Sequence, residues 1–282
     1  MKLAARVTDH HVCPQTSPTP HIGGCVLAAA NPRVRAEALP SARLADYALC
    51  SGPMDVVFEG ASTVLVGGLP FAGVGDHTAH KGIIVMAAAT VAVGGPTFSL
   101  PPNFIAKGDA AFQNALIRDL FLLSTLPSGR ALIERLARSG KPITFVREGD
   151  PHNSFCSPSS PLASSLGIPT GSTISYNPDV GLKAFDAAGK PIDMPPQCVL
   201  AHEMVHAIDN AEGHHYDGTD PRPPASQPHI EEEEAAAIGT GSHSRDYPTE
   251  NSVRSDMGLP RRDNHYGQNT PTPTGNRRPG GY

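Results

Sequence analysis

Two histidines stand four residues apart in this chain, at His202 and His206, and an acidic residue, Glu203, follows the first of them. On a helix this spacing places both imidazoles on one face, one turn apart, where they can bind the same Zn²⁺. A carboxylate beside such a pair is placed to take a proton from a metal-bound water. The pattern therefore predicts a zinc-dependent hydrolase that cleaves amide bonds.

A catalytic zinc takes a third protein ligand and keeps one position open. The acidic run Glu231–Glu234 precedes the apolar segment Ala235–Ile238, so we expect at least one of its glutamates to face inward. The rest of the run is typical of a solvated helix start, because carboxylates are favourable at the positive end of the helix dipole. His214, His215 and Asp217 are alternative ligands, but they lie in a Gly/Asp/Pro-rich stretch that we interpret as an exposed loop.

The first hundred residues contain a second set of candidate metal ligands within a degenerate repeat. The segment Leu39–Asp46 (LPSARLAD) aligns with Leu69–Asp76 (LPFAGVGD). A candidate ligand stands four residues after each aspartate, Cys50 in one copy and His80 in the other. His21 lies about one repeat earlier, which predicts three short β units.

Three such units would bring His21, Cys50 and His80 together on a pseudo-threefold axis. The segment Asp9–Pro14 (DHHVCP) offers several choices for a fourth ligand. A closed four-ligand set without an open position is typical of a structural zinc rather than a catalytic one.

The elements that position the His202–His206 pair are also marked in the sequence. Pro195 and Pro196 suit the first turn of a helix, and Gly213 suits its end. Periodicity predicts the other elements, which are helices over 110–126 and 129–137, strands over 142–147 and 171–178, and a Ser/Pro-rich loop over 150–167. Strands that precede helices in this way favour an α+β domain.

The composition agrees with a loop-rich β part and excludes two classes of partner. The chain has 28 glycines, 29 prolines, no tryptophan and a net charge of −5. It shows no basic stripe with interleaved aromatic residues, so we expect no nucleic-acid partner. The uncharged stretch over residues 82–106 is interrupted by glycine and proline, so we expect no membrane span. Residues 1–13 lack the apolar region of a secretory signal.

Residues 5–95 resemble the PAAR-repeat proteins, which cap the VgrG spike of type VI secretion systems. The resemblance rests on two Val-x-Val-Gly-Gly strands and on five further segments. These are Asp9–Pro14 (DHHVCP), Pro20–Gly24 (PHIGG), Leu39–Asp46 (LPSARLAD), Cys50–Asp55 (CSGPMD) and Gly75–His80 (GDHTAH). It implies an all-β cone of three β repeats, with a structural zinc on His11, His21, Cys50 and His80. The sequence departs from the family at Gly73, where an arginine is usual.

Residues 140–266 resemble the NleD-like zinc peptidases, a family of bacterial effector proteases. The matching segments are Gly171–Pro178 (GSTISYNP), His202–Ala207 (HEMVHA), Glu234–Gly239 and Thr249–Arg262. The resemblance implies that Glu234 is the third zinc ligand, as in a gluzincin, with Glu233 as its nearest rival. It also implies that Ser172, Thr173, Ile174, Ser175 and Tyr176 form an edge strand that binds substrate. Glu250, Asn251 and Arg254 would buttress the site or stabilise the oxyanion, and Arg254 is counted as catalytic.

Together these interpretations predict a multidomain protein with an N-terminal all-β PAAR cone and a C-terminal α+β zincin-like metallopeptidase domain. We expect the spike-tip domain over residues 1–96, a linker over 97–109, the peptidase over 110–266 and a disordered tail over 267–282. Five cysteines are an odd number, and the sequence leaves open whether Cys156 and Cys198 pair.

The expected function is that of a type VI secretion effector: a spike tip that delivers a zinc-dependent endopeptidase toxin. Its zinc ions would be one catalytic and one structural. Its partners would be the VgrG trimer, a protein substrate and a cognate immunity protein. Such a protein starts in the cytoplasm of the producing cell and is then secreted into a target cell. The alternative is a structural spike cap with an inactive extension.

Overall fold

A computed structural model describes residues 1–27, 33–179, 183–214 and 232–263. The chain divides into two compact units. The first comprises Met1–Leu100 with Gly108–Phe121, and the second comprises Pro101–Lys107 with Leu122–Tyr282. The tail expected over 267–282 lies outside the described residues. In the part of the chain that is described, no helix combines the length and apolarity needed to cross a membrane.

The first unit is built from short strands. They are β1 (Lys2–Leu3), β2 (His11–Val12), β3 (Gly23–Val26), β4 (Arg35–Ala36), β5 (Leu39–Pro40), β6 (Tyr47–Cys50), β7 (Asp55–Val56), β8 (Gly60–Val66), β9 (Leu69–Phe71), β10 (Ile83–Ile84), β11 (Ala92–Val93) and β12 (Thr97–Phe98). All pair antiparallel, in the orders β1-β11, β10-β2, β12-β8-β9, β3-β6-β7 and β4-β5. The prediction of an all-β N-terminal part is therefore confirmed.

Three alanines form a closed triangle of main-chain hydrogen bonds at the centre of this unit. The N–H of Ala5 donates to the carbonyl of Ala72 at 2.9 Å, that of Ala42 donates to Ala5 at 2.9 Å, and that of Ala72 donates to Ala42 at 3.0 Å. All three residues are fully buried, where a larger side chain would not fit. Each repeat therefore contributes one donor and one acceptor to a common axis, as the three-repeat prediction requires.

The same turn follows each of these alanines, over Arg6–Asp9, Arg43–Asp46 and Gly73–Asp76. In each turn the N–H of the aspartate donates to the carbonyl of the first residue at 3.1 Å. The aspartate Oδ2 accepts in return from the N–H of the first residue, at 2.7, 3.0 and 2.7 Å. The third residue of each turn has positive φ. Since the turn at residues 6–9 lacks the Leu-Pro marker of the other two, sequence reasoning did not recognise it.

Arginine neutralises the buried aspartate in the first two turns. Arg6 Nε lies 3.0 Å from Asp9 Oδ2, and Arg43 Nε lies 3.2 Å from Asp46 Oδ1. Such charge-assisted bonds stabilise a carboxylate that burial would otherwise destabilise. Burial is nonetheless the largest influence on Asp46 and raises its pKa to about 6.

In the third turn the cation is a lysine side chain from the N-terminal strand. Gly73 has no side chain, and Lys2 Nζ donates instead to Asp76 Oδ1. A Cβ atom at Gly73 would stand 2.7 Å from Lys2 Cγ and 2.8 Å from the Leu3 carbonyl oxygen. The N-terminal strand therefore occupies the space that an arginine at position 73 would need.

Helix α1 (Ala110–Thr125) starts in the first unit, and its last four residues belong to the second. Asp109 precedes it and accepts a hydrogen bond from the N–H of Phe112 at 2.8 Å, which satisfies one of the free donors of the first turn. Ile117 and Phe121 pack with Leu44 and Leu69 in a buried cluster of the first unit. This helix confirms the periodicity prediction over residues 110–126.

The second unit is a mixed sheet with helices, as the α+β prediction requires. Its remaining elements are β13 (Phe104–Lys107), α2 (Pro127–Ser139), β14 (Ile143–Arg147), β15 (Phe155–Pro158), α3 (Pro161–Ser165), β16 (Ser172–Tyr176), β17 (Lys183–Phe185), β18 (Pro191–Asp193), α4 (Pro196–Glu212), α5 (Glu232–Ile238), a 3₁₀ turn (Gly241–His243) and α6 (Glu250–Asp256). The sheet has the order β13-β14-β16-β15. Strands β13, β14 and β16 are parallel, and β15 is antiparallel to β16.

Two segments differ from the sequence-based expectations. The expected linker over 97–109 contains β12 and β13, each of which pairs with a strand of its own unit. The expected loop over 150–167 contains β15 and α3. The strands β12, β13 and β15 form here because a neighbouring strand completes their hydrogen bonds.

Helix α4 begins and ends where its proline and glycine residues predict. Pro196 occupies the first turn, and Gly213 ends the helix with a φ of 75° and donates its N–H to the Asp209 carbonyl. Glycine suits this left-handed cap because it lacks a Cβ. The helix packs against β15 and β16 on one side and against α2, α5 and α6 elsewhere. His202 and His206 are therefore presented from a rigid, buried element.

Candidate metal centres

The two histidines of α4 converge on one point. Their Nε2 atoms lie 3.2 Å apart, and both side chains are buried. Glu234 on α5 completes the group, with Oε2 3.1 Å from His202 Nε2 and Oε1 3.8 Å from His206 Nε2. The three ligand atoms lie within 4.8 Å of one another. The structure thus brings together His202, His206 and Glu234, the three residues expected to bind the catalytic zinc.

The neighbouring glutamate, Glu233, occupies a different place. Its Oε1 lies 3.4 Å from His206 Nδ1, the ring nitrogen that faces away from Glu234. His214 is half exposed, and its Nδ1 contacts Asp209 Oδ1 at 3.4 Å. The remaining alternatives, Glu231, His215 and Asp217, lie outside the described residues. Among the described candidates, the geometry favours Glu234 as the third ligand and Glu233 as a support for His206.

The donor set fits a catalytic zinc. Two imidazole nitrogens and one carboxylate are three protein ligands of the kind that zinc prefers, and they leave a fourth position for water or substrate. A zinc ion held there would acidify a bound water and polarise a carbonyl group. The chemistry of the side chains around this point therefore decides what the site can do.

Glu203 lies beside the pair on α4 and is almost fully buried. Burial, the largest influence, raises the pKa of its carboxyl group, although His202 and His206 act in the opposite direction. A carboxylate with a raised pKa can accept a proton and return it during one reaction cycle. Its position and its basicity suit the role of general base.

A carboxylate behind the site holds His202. Glu250 on α6 is fully buried, and its Oε2 lies 3.1 Å from His202 Nδ1 and 2.7 Å from Arg262 Nη1. Burial alone would raise the pKa of Glu250, but Arg262 and His202 outweigh it and lower this pKa to about 2. A carboxylate that accepts the second N–H of a ligand histidine fixes its tautomer and its orientation.

The acidic surroundings also change the histidines. Burial opposes a charge on His202, but Glu234 and Glu250 outweigh it and raise its pKa to about 8. Burial opposes a charge on His206 as well, but Glu233, Glu234 and Glu203 raise its pKa to about 10. Without a metal both imidazoles therefore favour the protonated form. A metal ion must displace these protons to bind.

Arg254, which was expected to buttress the site or to be catalytic, lies behind it, with Nη1 3.6 Å from Glu250 Oε1. Its side chain is fully buried and donates to the main-chain carbonyls of Pro260 at 2.6 Å and Asp193 at 2.8 Å. The guanidinium group is thus used to hold the end of β18 and the segment after α6. Arg262, which sequence reasoning quoted without giving it a role, also reaches Glu250, with Nη1 2.7 Å from Oε2.

The expected substrate strand needs a similar correction. Ser172 to Tyr176 form β16, which is hydrogen-bonded to β14 on one side and to β15 on the other. An interior strand has no free main-chain groups for a substrate to pair with. The edge of the described sheet at this end is β15 (Phe155–Pro158). Sequence reasoning missed it because the segment around it is rich in Ser and Pro.

A second group of ligands lies in the first unit. Cys13, His21, Cys50 and His80 offer ligand atoms that all lie within 4.8 Å of one another. Three of these residues were expected, and Cys13 replaces the fourth, His11. His11 Nδ1 lies 3.0 Å from the Gly24 carbonyl oxygen, and His11 Nε2 lies 3.2 Å from Asp55 Oδ2. The His11 ring thus faces Gly24 and Asp55 and lies outside the group.

The five cysteines all lie in described parts of the chain and carry free thiols. Cys156 Sγ lies 3.7 Å from Asn210 Nδ2, and Cys198 Sγ lies 3.8 Å from Met257 Sδ. Burial raises the pKa of both thiols, that of Cys198 to about 12. These two cysteines do not pair, and they act as small apolar residues, Cys198 within α4 and Cys156 on β15.

Comparisons with known proteins agree with this division. The sequence profile of the PAAR motif matches residues 16–86. The profile of the Peptidase_M91 family, described as "Effector protein", matches residues 103–266, more than half of the chain. No curated protein matches the chain.

Among solved structures, the light chain of Clostridium botulinum neurotoxin serotype F is similar over 54% of this chain and 50% of that chain, with 16% identity and a TM-score of 0.38. This chain thus spans about half the length of that structure. The profile match over residues 103–266 settles the family: the chain belongs to the Peptidase_M91 effector proteins and carries a PAAR motif in front of its peptidase domain.

Proposed function

We propose that this protein is a type VI secretion effector, a spike tip that carries a zinc-dependent endopeptidase into a target cell. The observation that carries the proposal is the convergence of His202, His206 and Glu234 beside the buried Glu203. This group lies in the same chain as a PAAR motif with a ligand cluster of its own. The zinc-ligand group would supply the chemistry, and the PAAR motif would supply the delivery.

In the proposed reaction the chain's own residues bind the metal, hold the substrate and move the proton. Glu203 takes a proton from the attacking water and transfers it to the leaving amine. Glu250 and Glu233 hold the rings of His202 and His206 from behind. The buried position of these groups strengthens their electrostatic interactions, because little water screens them.

The substrate would lie along β15. The N–H of Ser159 donates to the Gly171 carbonyl at 2.7 Å, so the register of the antiparallel pair makes Ser157 and Phe155 the next hydrogen-bonded positions. The N–H and C=O of Cys156 then point towards the side of β15 that pairs with no described strand, where an extended peptide can add a strand. Peptide substrates with single N-methyl groups test this. We expect a higher KM only for alternate positions, and a uniform response would contradict the edge-strand proposal.

The partners follow from the same proposal. The PAAR part would dock on the VgrG trimer, and its ligand cluster would hold a structural zinc that stabilises the tip. The protein would start in the cytoplasm of the producing cell and leave it through the secretion apparatus. A protein that neutralises the peptidase in the producing cell, an immunity protein, is expected if the targets are competing bacteria.

The test is a comparison of recipient survival with wild-type protein and with Glu203→Ala. We expect the variant to be secreted normally and to have lost its toxicity, because the metal remains bound but the base is missing. Glu134→Ala, an exposed acidic position on α2, is the matched control. Mapping of new protein termini in recipient cells then identifies the substrate. Equal killing by the Glu203→Ala variant would sink the peptidase proposal.

Metal analysis separates this proposal from the alternative of a spike cap with an inactive extension. The effector should bind two zinc ions per chain, one of which a chelator removes easily because its site is open to a fourth ligand. A single, tightly held zinc would favour the cap. A peptidase that acts in its own cell is a weaker alternative, since it would give the PAAR motif no purpose.

A further inference from the structure

We propose that the metal of the first unit is coordinated by two thiolates and two imidazoles, from Cys13, Cys50, His21 and His80. In this arrangement His11 supports the site from outside. The inference rests on the proposed structural zinc and specifies how this chain binds it.

The internal repeat assigns Cys13 to the site. Cys13, Cys50 and His80 each stand four residues after the aspartate that ends one of the three equivalent turns. Because the three turns share their main-chain hydrogen bonds, the chain leaves each of them in the same direction. The three side chains therefore reach the pseudo-threefold axis along equivalent paths, and His21 is the one ligand that comes from outside the repeat pattern.

The same repeat removes His11 from the site. His11 stands two residues after its aspartate, and the equivalent residues in the other repeats are Ala48 and Thr78. The exposed fractions of these three residues are 2%, 0% and 3%. This position points into the interior of each repeat, so its side chain packs beside the ligand cluster and does not enter it.

The distances in the cluster agree with tetrahedral coordination. Cys13 Sγ lies 3.7 Å from His21 Nδ1 and 3.7 Å from His80 Nδ1, and Cys50 Sγ lies 3.4 Å from His21 Nδ1. Zinc binds nitrogen at about 2.0 Å and sulfur at about 2.3 Å, so the ligand atoms of a tetrahedral site lie about 3.3–3.8 Å apart. The observed separations match this range without movement of the main chain.

His11 and Asp55 form the support behind the cluster. Asp55 is fully buried, and its Oδ1 accepts from the N–H of His80 at 3.0 Å. Its Oδ2 lies 3.2 Å from His11 Nε2 and 3.7 Å from His80 Nδ1. Asp55 thus fixes the main chain at His80, and His11 packs against this carboxylate beside the cluster.

Gly52 fixes the remaining ligand. A Cβ atom at this position would stand 2.4 Å from His21 Nε2, so only glycine lets the His21 ring lie against the chain here. This contact holds the far side of the ring and leaves Nδ1 facing the two sulfur atoms. The loop after Cys50 therefore positions two ligands of the site at once.

Cobalt substitution tests the ligand set. The protein is the full chain with His202→Ala and His206→Ala, so that Co²⁺ loads only the first unit. Thiolate ligands give a charge-transfer band whose intensity increases with the number of sulfur atoms bound. We expect Cys13→Ser and Cys50→Ser each to halve this band at saturating cobalt. Cys25→Ser, which changes a cysteine of the same unit outside the cluster, should leave it at full height. His11→Gln should lower the affinity for cobalt without changing the height of the band at saturation.

An undiminished band in Cys13→Ser, together with lost cobalt binding in His11→Gln, would overturn the two-thiolate set while leaving the proposed structural metal intact. No cobalt binding in the parent variant would overturn both. If Cys13→Ser does not fold, X-ray absorption of the zinc-loaded parent decides instead. Two sulfur and two nitrogen neighbours support the proposal, and one sulfur with three nitrogens contradicts it.

Discussion

Glu250 Oε2 lies 3.1 Å from His202 Nδ1, so a fully buried carboxylate fixes the orientation of a proposed zinc ligand. The other nitrogen of the same ring faces Glu234. The imidazole is therefore held from both sides, and Arg262 holds the carboxylate in turn. This chain of contacts connects α4, α5, α6 and the segment that follows α6.

Glu250→Gln should weaken zinc binding by about 10–100-fold, which is typical for the loss of an outer carboxylate. The amide removes the negative charge that favours a strongly donating imidazole. A competition titration with a chelator of known affinity measures the effect. Glu134→Gln, the same change at an exposed site on α2, should have no effect on the affinity. Equal affinities for the wild type and Glu250→Gln would show that the contact has no role in metal binding.

Glu250 should also make the metal-free protein sensitive to acid. Its pKa is lowered from 4.5 to about 2 in the folded protein. A group with a lowered folded pKa stabilises the fold above its unfolded pKa, and this contribution is lost as the pH falls through the folded value. The difference in unfolding free energy between wild type and Glu250→Gln should therefore shrink between pH 5 and about pH 2. Denaturant titrations in chelator check this; a difference independent of pH would contradict it.

The two adjacent glutamates of α5 should differ in their effect on the metal. Glu234→Gln removes a ligand that faces both Nε2 atoms, so the protein should lose its more weakly held zinc on dialysis. Glu233→Gln removes only a contact with His206 Nδ1, so zinc should stay bound with reduced affinity. Elemental analysis after dialysis distinguishes them. The reverse result would identify Glu233 as the ligand.

Lys2→Met should destabilise the first unit by about 1–3 kcal/mol, because Asp76 would keep its buried carboxylate without a cation. Burial already raises the pKa of Asp76, and Lys2 opposes this effect. Methionine keeps the apolar part of the lysine, so the change isolates the charge. Lys81→Met removes the same charge at an exposed position of the unit and serves as the control. Equal unfolding curves for the two variants would exclude a role for the Lys2–Asp76 pair.

Much of the His202–His206 site in the second unit could be predicted because its signals are local. The proline and glycine at the ends of α4, and the spacing of its histidines, depend on residues within one helix. Glu234 was predicted from the resemblance, and the structure places it beside both histidines. Arg254 shows where such reasoning ends, because besides Glu250 it binds main-chain carbonyls, one of them 61 residues away. No local pattern records a contact of that kind.

Cys13 shows a different difficulty. Of the residues that the other two copies share, the repeat that carries it keeps only the alanine and the aspartate, Ala5 and Asp9. Without the Leu-Pro marker, the alignment could not decide between His11 and Cys13. The hydrogen bonds of Ala5 restore the alignment, because they show which residues are equivalent in space. The edge strand β15 was missed for a related reason, since its partner β16 is what makes it a strand.

The triangle formed by Ala5, Ala42 and Ala72 has a mechanical consequence. An open sheet yields to force one bond at a time, beginning at its outermost strand. In the triangle every segment is anchored on both sides, so no segment is outermost and the three bonds share a load. We therefore expect the three segments of the unit to separate together under force, whichever of them is loaded first.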